Sequence, residues 1–261
     1  PLLGQTVTTR GVVTAAYPTG GFNGFFMQTA GTGGGTDATP GASDAIYVFG
    51  SAAMSVSPQI GDHVEVTSAV SEFAGLTELV PGSGGVVKLA DPADPVTPLA
   101  TAYPTTAADR EAHEGELLAP SDQFTVTNNY TTNQYAEVWL ATGTTPLIQP
   151  TDVALPASAE AAAVAADNAA RLVVLDDGAS INYLSSANQG IPLPWLSPTN
   201  TARVGAAATL HAPVILDYRN SAWKFQPTHQ VTDEGADVVT FADTRAPAEV
   251  GGTTRSPRST C

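Results

Sequence analysis

Residues 21–50, "GFNGFFMQTAGTGGGTDATPGASDAIYVFG", set two short aromatic runs on either side of a loop of Gly, Thr, Ala, Pro and Asp. Side chains alternate across a β-strand. In "GFFMQT", Phe25 and Met27 therefore face one way and Phe26 and Gln28 the other; in "DAIYVFG", Ile46 and Val48 oppose Tyr47 and Phe49. If Phe25, Met27, Ile46 and Val48 fill a barrel, then Phe26, Tyr47 and Phe49 lie together outside it. Two kinds of occupant suit that outer face. Nucleobases stack on such rings in single-strand-binding barrels; alternatively the rings pack against a linker, a second barrel or another domain. Base stacking is normally accompanied by a basic groove, and in this stretch of sequence the nearby cation is Arg10, so charge favours packing.

Working outward, the segments "TVTTRGVVTAAYP", "GDHVEVTSAVSEFAGLTELV" and "GGVVKLA" complete a strand, turn, strand pattern from Gln5 to about Leu89. Five or six short strands at that spacing predict a small barrel over residues 1–90. Residues 91–104, "DPADPVTPLATAYP", hold four prolines and read as a stiff linker. A short helix follows, capped by Thr106 before "AADREAHEG", so the linker region spans 91–114. A second barrel is expected over 115–232, with "SAEAAAVAADNAAR" as an inserted helix capped by Ser158. Residues 61–81 and 205–228 echo one another: an opening Gly, alternating apolar residues, an acidic-plus-aromatic pair, a small-residue turn and a closing Pro. The echo predicts two copies of one barrel type. The fold class is mainly β: two OB-like small barrels with one or two short helices.

Composition limits the partners. The 261 residues carry 25 Asp plus Glu against 10 Lys plus Arg, a formal net charge of −15. Such an excess repels phosphate and argues against tight binding of nucleic acid by this chain alone. The one cysteine, Cys261, excludes an internal disulfide and a cysteine-based metal site. No apolar stretch is long enough to cross a bilayer, and no signal peptide is seen; the opening "PLLGQTV" reads as a cut end.

Few residues suggest chemistry. Asp37 and Asp44 bracket the Gly-rich loop, and Asp176 and Asp177 sit in "LVVLDDGAS". Carboxylates on turns are candidate ligands for a divalent cation, Ca²⁺ or Mg²⁺, although neither loop has EF-hand spacing, and turn chemistry explains "DDG" equally well. The histidines, His63, His113, His211 and His229, stand apart, none at metal-ligand spacing. "GTGGGT" lacks the Lys-Ser/Thr of a phosphate loop and reads as a flexible loop. Trp139 and Trp223 are outward candidates for contacts between domains. No catalytic constellation emerges.

Several stretches, among them "GVVTAAYPTGGFNGFFMQT", "DATPGASDAIYVFG", "NNYTTNQYAEVWLA" and "LVVLDDG", resemble the region upstream of the catalytic domain in large secreted bacterial nucleases of the endonuclease/exonuclease/phosphatase superfamily. The match covers about residues 3–250 and is more specific in the first barrel. It departs at "RVGAAATL", which lacks an expected Gly-Asp pair, and at "EGELLAP", where Glu116 stands in place of an apolar residue. The resemblance implies OB-like barrels, secretion, a nuclease domain as partner, and a divalent cation in that domain and not in this chain. The residues expected to contact nucleic acid, held weakly, or another partner are Arg10, Phe26, Tyr47, Phe49 and Trp139; a free-standing extracellular module that self-associates is the competing role, and a carbohydrate-binding barrel, which fits the aromatics and the acidic charge, is a third. Residues 233–261 are then a tail leading toward a missing catalytic domain. The codons of "RSPRSTC", regrouped one base later, can encode Val-Ala-Ser-Phe-Asn-Val, the first strand expected of that domain. The tail is accordingly expected to be an out-of-frame reading.

Overall fold

The computed structural model describes residues 2–245, so the frame-shifted tail expected at 255–261 lies outside the described residues. The first unit contains β1 (Thr6–Tyr17), β2 (Gly24–Gln28), β3 (Ala45–Phe49), α1 (Ser51–Met54), β4 (His63–Phe73), β5 (Leu76–Leu79) and β6 (Val86–Lys88). β1 pairs antiparallel with β4 over Thr6–Val12 and with β2 over Val12–Tyr17, with a bulge between Val13 and Ala15 where it changes partner. The circuit then runs β2 to β3, β3 parallel to β5, and β5 back to β4, closing a five-stranded barrel with β6 appended outside β4. Closure brings backbones close at Gly11, where a Cβ would stand 2.8 Å from the Gln28 carbonyl oxygen. Phe25, Met27, Val48, Val64, Val66 and Leu79 fill the interior, with Ile46 packed against them, as the alternation predicts.

The rest of the chain adds β7 (Leu99–Thr101), α2 (Ala107–Glu111), β8 (Leu117–Pro120), β9 (Phe124–Asn128), α3 (Thr132–Tyr135) and β10 (Val138–Thr142). After these come α4 (Pro150–Val153), α5 (Ala159–Arg171), β11 (Leu172–Leu175), β12 (Ala206–Leu210), β13 (Val214–Arg219), β14 (Ala222–Pro227) and β15 (Val239–Arg245). The chain is thus mainly β with few helices, in two sheets. Thr106 and Ser158 cap α2 and α5 as expected, accepting from the amides of Asp109 and Ala161.

The second sheet repeats the first with two strands interrupted. β9, β10 and β11 follow in antiparallel order, β11 runs parallel to β14, and β14 returns to β13. β8 pairs with β13 (Leu117 with Ile215, Leu118 with Val214) and β9 with β12 (Phe124 with Ala208, Thr125 with Ala207). Both ladders keep the same register, so β8–β9 act as one broken strand in the role of β1, and β12–β13 as one broken strand in the role of β4. The breaks fall at Ser121–Gln123 and His211–Pro213, where Pro213 has no amide hydrogen to donate to a ladder. β15 lies outside β12 as β6 lies outside β4. The strands that echo in the sequence, 61–81 and 205–228, are equivalent in space.

Two boundaries move. β15 falls in the stretch expected to be a tail from 233, yet it pairs with β12 and places Val239 and Phe241 in the second core. The linker is not a free spacer: Gly31 donates to the Asp94 carbonyl, Thr97 to the Thr32 carbonyl, and Leu99–Thr101 run parallel to β8. Gly33, at φ +79°, holds this crossing; a Cβ there would stand 1.9 Å from the Thr97 carbonyl oxygen. The glycine loop expected to be flexible is thereby tied down.

Candidate functional site

The outer face of β2 and β3 in the first barrel is buried against the second. Phe26 and Tyr47 are 0% and 1% exposed and cluster with Tyr17, Phe22 and Leu76 against Ile215 and Leu117. The Phe26 and Tyr47 rings lie 4.7 Å apart, and Tyr17 meets Phe26 edge-on at 6.3 Å. Of the two occupants considered for this face, the second barrel takes it, so Phe26 and Tyr47 are corrected from an open contact surface to an interbarrel core. Phe49, 38% exposed, marks the rim of that core, 6.4 Å from Tyr47. Arg10 lies away on the β1–β4 ladder, ion-paired with Glu65 at 2.7 Å, and is not brought to these rings.

Hydrogen bonds ring the joint. Tyr17 donates to the Pro227 carbonyl at 2.6 Å, the Leu117 amide to Gln28 at 3.0 Å, and the Ala16 amide to the Thr228 carbonyl at 3.0 Å. Glu116, the departure noted in "EGELLAP", accepts from the Asp44 amide at 2.8 Å and contacts His113 Nδ1 at 2.8 Å, which holds the imidazole above its ordinary range. Glu116 thus serves as an acceptor between the barrels.

Charges cross the same boundary. Arg219, the last residue of β13, sits 4.1 Å from the centre of the Phe22 ring and 4.9 Å from that of Tyr47, and pairs with buried Asp217 at 3.0 Å. Lys224 donates to Glu137 and Asp176, each at 2.6 Å. Asp177 accepts from the Ala179 amide and, at 2.5 Å, from Tyr183; burial and the neighbouring Asp176 push its carboxyl well up. Asp176 and Asp177, candidate metal ligands by sequence, are therefore committed to protein partners on at least one oxygen each. Asp37 and Asp44 likewise accept from their own loop: Asp37 from the Thr39 amide, Asp44 from the Ala38 amide and the Thr39 hydroxyl. Among the described residues, no group of three or more His, Cys, Asp or Glu is placed to hold a metal ion.

The equivalent face of the second barrel is not covered in the same way: Val174 and Lys224 are buried, and Phe22 of the first barrel, Ala179 and Ser180 reach its edge, but a groove remains. Pairing matches the row Phe26, Tyr47, Glu78 on β2, β3 and β5 to the row Trp139, Val174, Lys224 on β10, β11 and β14. Here the row floors a groove of about 650 Å³, walled by Tyr135 from the β9–β10 connection and by Asn220 and Ser221 from the β13–β14 turn. Trp139, a sequence candidate, is half-buried in it and donates its Nε1–H to Thr131 at 3.1 Å. Trp223 instead leans on the second core beside Tyr218. Tyr135, Glu137, Arg219 and Lys224 belong to this groove and were not singled out from the sequence. The echo of 61–81 in 205–228 is a signal that could have found Arg219 and Lys224; Tyr135 and Glu137 lie outside it.

Comparison with protein-family models, with curated proteins and with solved structures finds no match for this chain.

Proposed function

We propose that the chain is the non-catalytic binding region of a secreted nuclease-like protein, positioning nucleic-acid substrate or a catalytic domain. The carrying observation is the repeated strand circuit, with its β2–β3 face spent on joining the barrels in one copy and left as a groove in the other. In OB-type barrels, that face and its flanking loops are the usual binding surface. The sequence resemblance to the upstream region of such nucleases supports the setting, and phosphodiester chemistry with its divalent cation then belongs to the partner domain. The competing role, self-association through strand edges, would use the outer strands, and of these β6 and β7 are three residues long while β15, with seven, is the longer edge.

Two measurements test the reading. Sedimentation of the purified chain from micromolar to millimolar concentration is expected to give a monomer, and concentration-dependent assembly would favour the adhesive role instead. Sequencing the gene past codon 245 is expected to reveal a nuclease domain in one frame or another; its absence overturns the accessory role.

A further inference from the structure

The groove on the second barrel carries a specific chemistry, and naming its ligand rests on reading the chain as a binding region that positions a catalytic domain, not as one that holds nucleic acid in this groove. Trp139 and Tyr135 supply two large rings, Tyr135 being 42% exposed. The indole's single donor is already satisfied by Thr131, so what Trp139 offers a ligand is an apolar platform.

Each cation of the groove already has a carboxylate partner. Lys224 is held between Glu137 and Asp176, and Arg219 is held by Asp217 while covering the Phe22 and Tyr47 rings. With three carboxylates around two cations, and a chain charge of −15, the site has no surplus positive charge for a phosphate. Single-strand-binding grooves combine stacking rings with a backbone-tracking positive channel. Only the first of these is present.

Polar atoms without partners remain, deep in the groove. Asp176 is 3% exposed and its Oδ1 has no partner, and Arg219 Nη2 likewise has none. Asn220 and Ser221 line the groove with an amide and a hydroxyl, at φ +54° and +63°. A two-residue hairpin turn with both φ positive is ordinarily Asn-Gly. Ser221 occupies the glycine place, and such strain is characteristically retained at functional sites.

From this combination we infer that the groove binds an uncharged sugar ring within a glycan chain. Its C–H face lies on Trp139 and Tyr135, and its hydroxyls meet carboxylate, amide and hydroxyl groups of the walls. A cavity of about 650 Å³ suits a short run of such rings.

The test is calorimetric titration of the full chain with cellohexaose, chitohexaose and maltohexaose, beside a twenty-nucleotide oligothymidylate at low and moderate salt. At least one hexasaccharide is expected to bind, nearly independently of salt, with the affinity falling tenfold or more in Trp139→Ala and in Tyr135→Ala. Because Trp139→Ala could disturb the barrel, Asn220→Gly/Ser221→Gly serves as a second variant; it relieves turn strain, keeps the melting temperature at or above that of the parent, and still weakens binding. Failure of all three sugars overturns the inference, as does sugar binding indifferent to these substitutions. Salt-steep binding of the oligothymidylate that is lost in Trp139→Ala assigns the groove to nucleic acid, which also overturns it. None of these outcomes touches the sedimentation and gene-sequence tests of the accessory role.

Discussion

Replacing Phe26 by Ala distinguishes a core ring from a stacking platform. Phe26 is fully buried, 4.7 Å from the Tyr47 ring and 6.3 Å from that of Tyr17, and it packs in the cluster that includes Ile215 of the second barrel. Truncation removes the apolar transfer energy and leaves a cavity between two packed sheets that cannot easily collapse, for a cost of about 3–5 kcal/mol. In a chain of this size that corresponds to a fall in melting temperature of roughly 6–20 °C. Because the lost contacts join the barrels, scanning calorimetry should also show one transition broadening or splitting into two. An exposed ring waiting for a base would give a change within about ±0.5 kcal/mol. Phe73→Ala, at a ring 65% exposed, is the control and should behave in that way. A Phe26→Ala melt that overlays the Phe73→Ala melt would refute the assignment of this face to the joint between barrels.

Lys224→Met should destabilise the chain by about 3–5 kcal/mol in urea unfolding, because it leaves Asp176 and Glu137 charged, close together and largely buried without a counter-ion; a loss below about 1 kcal/mol would show the network to be dispensable. Stability should decline as pH rises from about 4.5 to about 8, since burial and the charges of Glu111, Asp217 and Glu72 push Glu114 from 4.5 up to about 8. The folded chain holds that proton where the unfolded chain releases it, so the contribution is present at low pH and lost on the way up. Glu114→Gln should flatten this part of the urea-midpoint profile, and an unchanged slope would exclude Glu114 as its source. Gly33→Ala forces a Cβ into the Thr97 carbonyl and occupies a left-handed position, so it should cost more than about 1 kcal/mol and raise proteolysis of the loop at 31–44; resistance equal to the parent would mean that the crossing yields.

Local rules made several features legible. Alternation divided Phe25 and Met27 from Phe26, and Ile46 and Val48 from Tyr47, and those divisions hold because a strand's period of two is a backbone property. Thr106 and Ser158 were readable as caps because capping is decided within three residues. The echo of 61–81 in 205–228 marked equivalent strands for the same reason: a circuit of short strands repeats its turn chemistry.

What the outer rings touch is not a local property. Whether Phe26 meets a base, a sugar or Ile215 depends on a residue 189 positions away in the chain, and no periodicity encodes that distance. Asp176 and Lys224 likewise read as a turn acid and a strand cation until β11 and β14 lie side by side and bring their charges within 2.6 Å. The sequence by itself determined which side chains leave the first barrel; the tertiary structure decided that this outward face is closed by the second barrel while its equivalent remains a groove, because docking uses one copy of the face and not the other.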